Sequence, residues 1–125
     1  MKRILILEDD TVLASAIEHR LSMRGFKTYT AHSVQEGVTI LSDTDVDAIW
    51  LAHSLLGKEA GIDFVAKVRT MPSIASVPIF VISNSTSSES MKSYIQLGVD
   101  QYYTKTDYDL SQIITDIEYA LRACS

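Results

Sequence analysis

Short apolar runs alternate along the chain with stretches in which apolar residues return every three or four positions. Ile4-Leu5-Ile6-Leu7 is a continuous apolar run, the pattern of a strand covered on both faces. Val12, Leu13, Ala16, Ile17 and Leu21 then follow at helical spacing, with Asp10 placed to cap the helix start and Gly25 to stop it. Lys27 to Ala31 reads as a weaker strand. Ser33-Val34-Gln35-Glu36 has the capping-box pattern and opens a helix through Val38 and Leu41. Ala48 to Ala52 predicts a third strand, followed by a helix through Phe64, Val65 and Val68 that ends before Pro72. Pro78 introduces a fourth strand, Ile79 to Ile82. Met91, Tyr94, Ile95 and Leu97 predict a helix closed by Gly98. Gln101 to Thr104 is a fifth strand, and Leu110, Ile113, Ile114, Ile117 and Leu121 form one face of a last helix.

Five strands, each followed by a helix, imply an α/β fold with a mostly parallel sheet and helices on both faces. Right-handed crossovers leave few topologies. The expected one is the doubly wound, three-layer flavodoxin-like order 2-1-3-4-5. No repeat, low-complexity segment or Pro/Gly-rich linker interrupts the pattern, so one domain over 1–125 is expected. The six small polar residues Ser83 to Ser88 read as a loop running into a helix start.

Composition narrows the functional classes. The chain has 125 residues, 46% hydrophobic and 22% charged, a globular balance, and a formal net charge of -5. That charge argues against a direct nucleic-acid surface, which would ordinarily be basic. A single cysteine, Cys124, fits a reducing, cytoplasmic compartment. The apolar run after Met1-Lys2-Arg3 is too short for a secretion signal, and no stretch is long enough to span a bilayer.

In doubly wound sheets the functional crevice lies beyond the carboxyl ends of the strands. The residues falling there are Glu8, Asp9 and Asp10 after the first strand, Ala52 and His53 at the third, Ser83 and Asn84 at the fourth, and Lys105 and Thr106 after the fifth. Carboxylates suit magnesium, which takes one or two of them and keeps several waters. Magnesium, a hydroxyl and a lysine together suit a phosphoryl group, whose charge needs neutralising during transfer. Asp10 is assigned mainly to capping. His53 follows Ala52 on an alternating strand and is expected to point away. His19 and His32 lie on surface elements, and Trp50 belongs to the core.

The segments ILILEDD, VDAIWLAHSLLG, VPIFVISN and GVDQYYTKT, in that order, resemble the successive motifs of response-regulator receiver domains, the CheY-like superfamily of two-component phosphorelay signalling. The resemblance covers essentially the whole chain. It implies that Glu8 and Asp9 are the magnesium-holding acidic pair, that Ser83 and Lys105 contact the phosphoryl group, and that Tyr102 is the aromatic that changes rotamer on activation. It also implies a sensor histidine kinase or phosphotransfer protein as partner. A downstream effector, or a second copy in a weak homodimer, would dock on the face of the fourth helix, fifth strand and last helix. Tyr94, Tyr102 and Tyr103 are expected to be partly exposed there.

The chain departs from that family at two positions. The phosphoacceptor is an aspartate five residues after one that corresponds to Asp47, and here that position is Ala52, which can neither form an acyl phosphate nor bind metal. Thr106 stands where a cis-proline usually follows the lysine. A non-proline cis bond costs about 3 kcal/mol, so a trans bond and an altered loop are expected. Leu55 to Gly61 is one residue longer than the common family loop. Two readings stay open: a phosphorelay receiver with its acceptor site vacant, or a pseudo-receiver acting by protein contact without phosphorylation. With no effector domain in the chain, it reads as a stand-alone regulator or an excised receiver, and not as an enzyme. A dehalogenase-type phosphatase would need D-x-D-x-T after the first strand, which Glu8 to Val12 does not supply. Three adjacent carboxylates would also repel the phosphate of a flavin cofactor.

Overall fold

The computed structural model describes residues 2–52, 61–83, 88–104 and 109–123. His53, Asn84, Lys105, Thr106, Cys124 and the loop residues Leu55 to Ala60 lie outside the described residues. The elements run β1 (Arg3–Leu7), α1 (Thr11–Met23), β2 (Lys27–Ala31), α2 (Val34–Asp43), β3 (Ala48–Ala52), α3 (Gly61–Arg69), β4 (Ile79–Ser83), α4 (Ser88–Gln96), β5 (Gln101–Thr104) and α5 (Leu110–Ala123). All pairings are parallel and the sheet order is β2-β1-β3-β4-β5, as the alternating pattern implies.

Two apolar layers sandwich the sheet, because alternate strand residues point to opposite faces. Ile4, Ile6, Trp50, Phe80, Ile82 and Tyr103 pack under α1 and α5, against Ile17, Leu21, Ile113 and Ile117. Leu5, Leu7, Ile49, Leu51, Ile79 and Val81 face α2, α3 and α4, against Leu41, Phe64, Val68 and Tyr94. Tyr94 and Tyr103 are therefore core residues, 0% and 2% exposed, contrary to the partial exposure expected of them. The Tyr103 hydroxyl still finds a partner, donating to Asp116 Oδ2 at 2.8 Å. Tyr102, on the opposite face of the same strand, is half-buried as expected.

Local chemistry sets the helix ends. Asp10 caps α1, its Oδ1 accepting from the amides of Val12 and Leu13 at 3.0 and 3.1 Å. Ser33 caps α2 by accepting from the Glu36 amide at 3.2 Å. The reciprocal half of the expected capping box shifts by one residue, since Glu36 Oε2 accepts from the His32 amide at 2.8 Å. Gly25 and Gly98, with φ of 88° and 79°, end α1 and α4 in the left-handed region that side chains avoid.

Arg69, at the end of α3, fastens the far edge of the molecule. Its guanidinium donates to the carbonyls of Leu97 and Gly98 at 3.0 and 2.8 Å, where α4 ends. It also donates to Ala75 and Val77 at 2.8 and 3.0 Å, in the connection leading into β4. Four carbonyls are thus satisfied by one planar cation, an arrangement a lysine ammonium cannot reproduce. Arg69→Met should lower unfolding free energy by about 2–4 kcal/mol, with Arg69→Lys recovering less than half. Urea midpoints check this, and an unchanged midpoint in Arg69→Met would rule the clamp out.

Candidate functional site

Because the strands run the same way, the segments leaving β1, β3, β4 and β5 emerge along one edge. Register then decides which residues meet. Leu7 pairs with Leu51, so Glu8 and Ala52, one step on, lie level on neighbouring strands about 5 Å apart. Ala52 pairs with Ile82, which puts Ser83 one residue further out, and Ser83 pairs with Thr104. The chain order Glu8, Ala52, Ser83, Thr104 is thereby folded into a contiguous row. Ala52, Ser83 and Glu8 are buried, at 4%, 2% and 3% exposure, while Asp9 is half-buried. Lys105, the next residue after Thr104, is outside the described residues.

The acidic turn after β1 is held by the protein itself. The Glu8 amide donates to the Ala31 carbonyl at 3.0 Å, extending the β1–β2 ladder, and Glu8 Oε2 accepts from the Asp10 amide at 3.2 Å. His32 Nδ1 lies 2.9 Å from the Glu8 carbonyl. A carbonyl can only accept, so Nδ1 carries the proton there. His32 thus belongs to the support of this turn rather than to a bare surface. Its position directly after the second strand was the available signal, since that too is a carboxyl strand end.

Beside the row lies a cavity of about 210 Å³ between α1 and α5, lined by Glu8, Leu13, Ile17, Trp50, Ile82, Asp109, Leu110 and Ile113. Its walls are mainly apolar. Trp50, a core residue as expected, shares this lining with Glu8, so its fluorescence can report on the acidic turn.

On the other sheet face, Tyr94 reaches from α4 to the end of β3. Its ring lies 5.8 Å from that of Tyr102, tilted by 43°. A methyl on Gly61, the first residue of α3, would stand 2.4 Å from the Tyr94 hydroxyl and 3.3 Å from the Ala52 carbonyl. Neither Tyr94 nor Gly61 was singled out for this corner from the sequence.

The residues fit a magnesium ion on one side only. Glu8 and Asp9 supply hard oxygens, but Asp10 is engaged by α1 and Ala52 presents a methyl. Among the described residues, no three acidic, histidine or cysteine side chains converge as a metal site.

Burial, reinforced by neighbouring Tyr102 and Asp63, pushes the Tyr94 phenol well above its ordinary value of about 10. With the folded value above the unfolded one, the neutral phenol contributes stability in full below pH ~10, and that contribution is lost as pH rises further. The urea midpoint should accordingly fall above pH ~10, and less steeply in Tyr94→Phe. Identical slopes in the two proteins would contradict the assignment.

Residues 4–118 match the response regulator receiver domain family. The cell cycle transcriptional regulator CtrA of Caulobacter vibrioides is 33% identical over 103 residues, covering 82% of this chain and 43% of the relative. The transcriptional regulatory protein CpxR of Escherichia coli is 27% identical over 122 residues, 98% of this chain and 50% of the relative. The chain thus spans about half the length of the curated relatives it matches. Among solved structures, the receiver domain of Francisella response regulator 1452 superposes with a TM-score of 0.88 at 19% identity, each chain fully covered. The phosphorylated cyanobacterial phytochrome response regulator RcpA gives 0.84 at 24% identity, over 99% of this chain and 96% of that one. Those likenesses carry the fold, and the sequence matches carry the family. By fold and by sequence, the chain belongs to the response regulator receiver domain family of two-component signalling.

Proposed function

We propose that residues 1–125 are one receiver domain whose phosphoacceptor position is Ala52, so that the chain as it stands takes up no phosphoryl group. Receiver domains are signalling modules rather than catalysts in their own right. They bind magnesium at the acceptor site and work with histidine kinases or phosphotransfer proteins and with effectors. The observation that carries the proposal is the register of β3. Ala52 closes that strand level with Glu8, with Ser83 one residue beyond its partner Ile82. A carboxylate at that point would face an acidic pair on one side and a hydroxyl on the other. A methyl can neither attack phosphorus nor ligate a metal.

On this reading Glu8 and Asp9 hold a weakened magnesium site, Ser83 and Lys105 are the phosphoryl-contacting groups, and Tyr102 is the switch aromatic. Trp50 fluorescence should show no saturation with magnesium at millimolar concentration, and tight saturable binding would count against a vacant ligand position. The partner surface is the face of α4, β5 and α5. Met91 and Ile95 on α4 and Tyr119 on α5 are 37%, 58% and 77% exposed, apolar area of the kind that docking covers. Light scattering should give a monomer or weak dimer, with Ile95→Glu weakening any dimer. A stable dimer insensitive to that change would move the interface elsewhere.

The decisive test uses acetyl phosphate with magnesium, read by intact mass. The chain should gain nothing and Ala52→Asp should gain one phosphoryl group, the new carboxylate attacking phosphorus as acetate leaves. Without metal, Ala52→Asp should also be less stable by about 1–3 kcal/mol, because it buries a third carboxylate beside Glu8 and Asp9, and magnesium should reverse that loss. Phosphate on the unsubstituted chain would sink the assignment of Ala52. A folded, magnesium-binding Ala52→Asp that stayed unphosphorylated would favour the pseudo-receiver, which signals by contact alone.

A further inference from the structure

Met91 and Ile95 face solvent, and the large side chain of α4 that is fully buried is Tyr94, at 0% exposure. The tip of that side chain ends in a space that exists only because residue 61 has no side chain. A methyl there would be 2.4 Å from the Tyr94 hydroxyl oxygen, far inside contact distance, while its next neighbours are the Ala52 carbonyl at 3.3 Å and Leu51 Cδ2 at 3.4 Å. The aromatic ring carbons lie farther away than these. One oxygen atom therefore makes the fit exclusive: phenol in and glycine at 61, or a side chain at 61 and phenol out. On its other side the ring leans on Tyr102 of β5.

We propose that Tyr94 is a bolt that ties the position of α4 to the corner made by the end of β3 and the first residue of α3. The exposed Met91–Ile95 surface is thereby linked to the backbone at Ala52. A displacement of that corner towards the phenol narrows the space it occupies and presses on the helix that carries it. A partner that holds α4 fixed opposes the same displacement, because linkage between two sites is reciprocal. Tyr94 acts here by positioning and touches no reacting group. The coupling goes beyond the receiver reading and holds whether or not residue 52 is the acceptor position.

The clash and the propensity of residue 61 have opposite signs, which makes the test sharp. Alanine is the better helix former, and with the hydroxyl gone the remaining close contact is the Ala52 carbonyl at 3.3 Å, so Gly61→Ala should cost much less in that background. Gly61→Ala alone should lower the urea midpoint and speed amide exchange in α4 more than in α3. Added to Tyr94→Phe, the same substitution should lower the midpoint by less than half as much. That non-additivity is specific to one oxygen. If Gly61→Ala costs the same in both backgrounds, or speeds exchange in α3 while α4 stays protected, the bolt does not exist. Should Gly61→Ala alone fail to fold, Tyr94→Leu supplies the converse measurement: amide exchange at Ala52 should speed by more than the global loss of stability accounts for although the substitution is on α4, and exchange that follows global stability alone would overturn the coupling.

Discussion

Asp47 meets Arg3 twice. Its carboxylate accepts from the Arg3 amide at 2.7 Å, and its own amide donates to the Arg3 carbonyl at 2.7 Å. These two bonds pin where β3 enters the sheet beside β1, and everything at the far end follows from that start. A slip of one residue would turn every β3 side chain to the opposite face. It would also move Ala52 out of level with Glu8 and replace it by a neighbour. Because β1, β3 and β4 are buried along nearly their whole length, such a slip has no solvent-exposed alternative to fall into. The register is thus specified at the bottom of the sheet and used at the top, a full strand away.

The same separation of cause and use explains what could be read in advance. Asp10, Ser33, Gly25 and Gly98 act on backbone groups within four residues of themselves, so their roles were visible as local patterns. The alternation of strands and helices carried the topology, since parallel neighbours and right-handed crossovers leave few choices. Tyr94 was different. Met91, Tyr94, Ile95 and Leu97 spread over a broad arc of one helix, and periodicity alone does not say which of them turns inward. The gap at Gly61 is part of what receives Tyr94, and that gap is thirty-odd residues away in sequence. His32 is a milder case: its place directly after β2 marks a carboxyl strand end, but the Glu8 carbonyl it serves belongs to the neighbouring strand's turn and is distant in sequence. At the sheet edge the register brings Glu8, Ala52 and Ser83 into one row, while Lys105 lies outside the described residues.

The acidic turn poses an electrostatic problem that backbone donors relieve in part. Three consecutive carboxylates in a chain of net charge -5 repel one another, and burial of Glu8 raises the cost. Each is given separate work. Asp10 turns towards the α1 amides, Glu8 accepts from the Asp10 amide, and Asp9 keeps partial contact with water. Helix N-termini favour negative charge, so α1 offsets part of the repulsion. A methyl at position 52 adds nothing to that burden, and an aspartate there would add a further buried charge a strand spacing from Glu8.

Stability and chemistry therefore pull residue 52 in opposite directions. With alanine the corner is apolar on the Leu51–Tyr94 side and residue 52 itself adds no charge to neutralise, which favours a fixed resting arrangement of α3 and α4. With aspartate the corner would depend on magnesium and lysine for neutralisation, and its geometry would follow their occupancy. The proposed vacant receiver loses the ability to record a phosphoryl group but retains both ends of the path by which such an event would be felt. Its Ala52–Gly61 corner and its exposed α4 surface still meet at a single tyrosine. What such a molecule can still do is set by which partners its surfaces hold, and the exposed Met91–Ile95 side of α4 is one such surface.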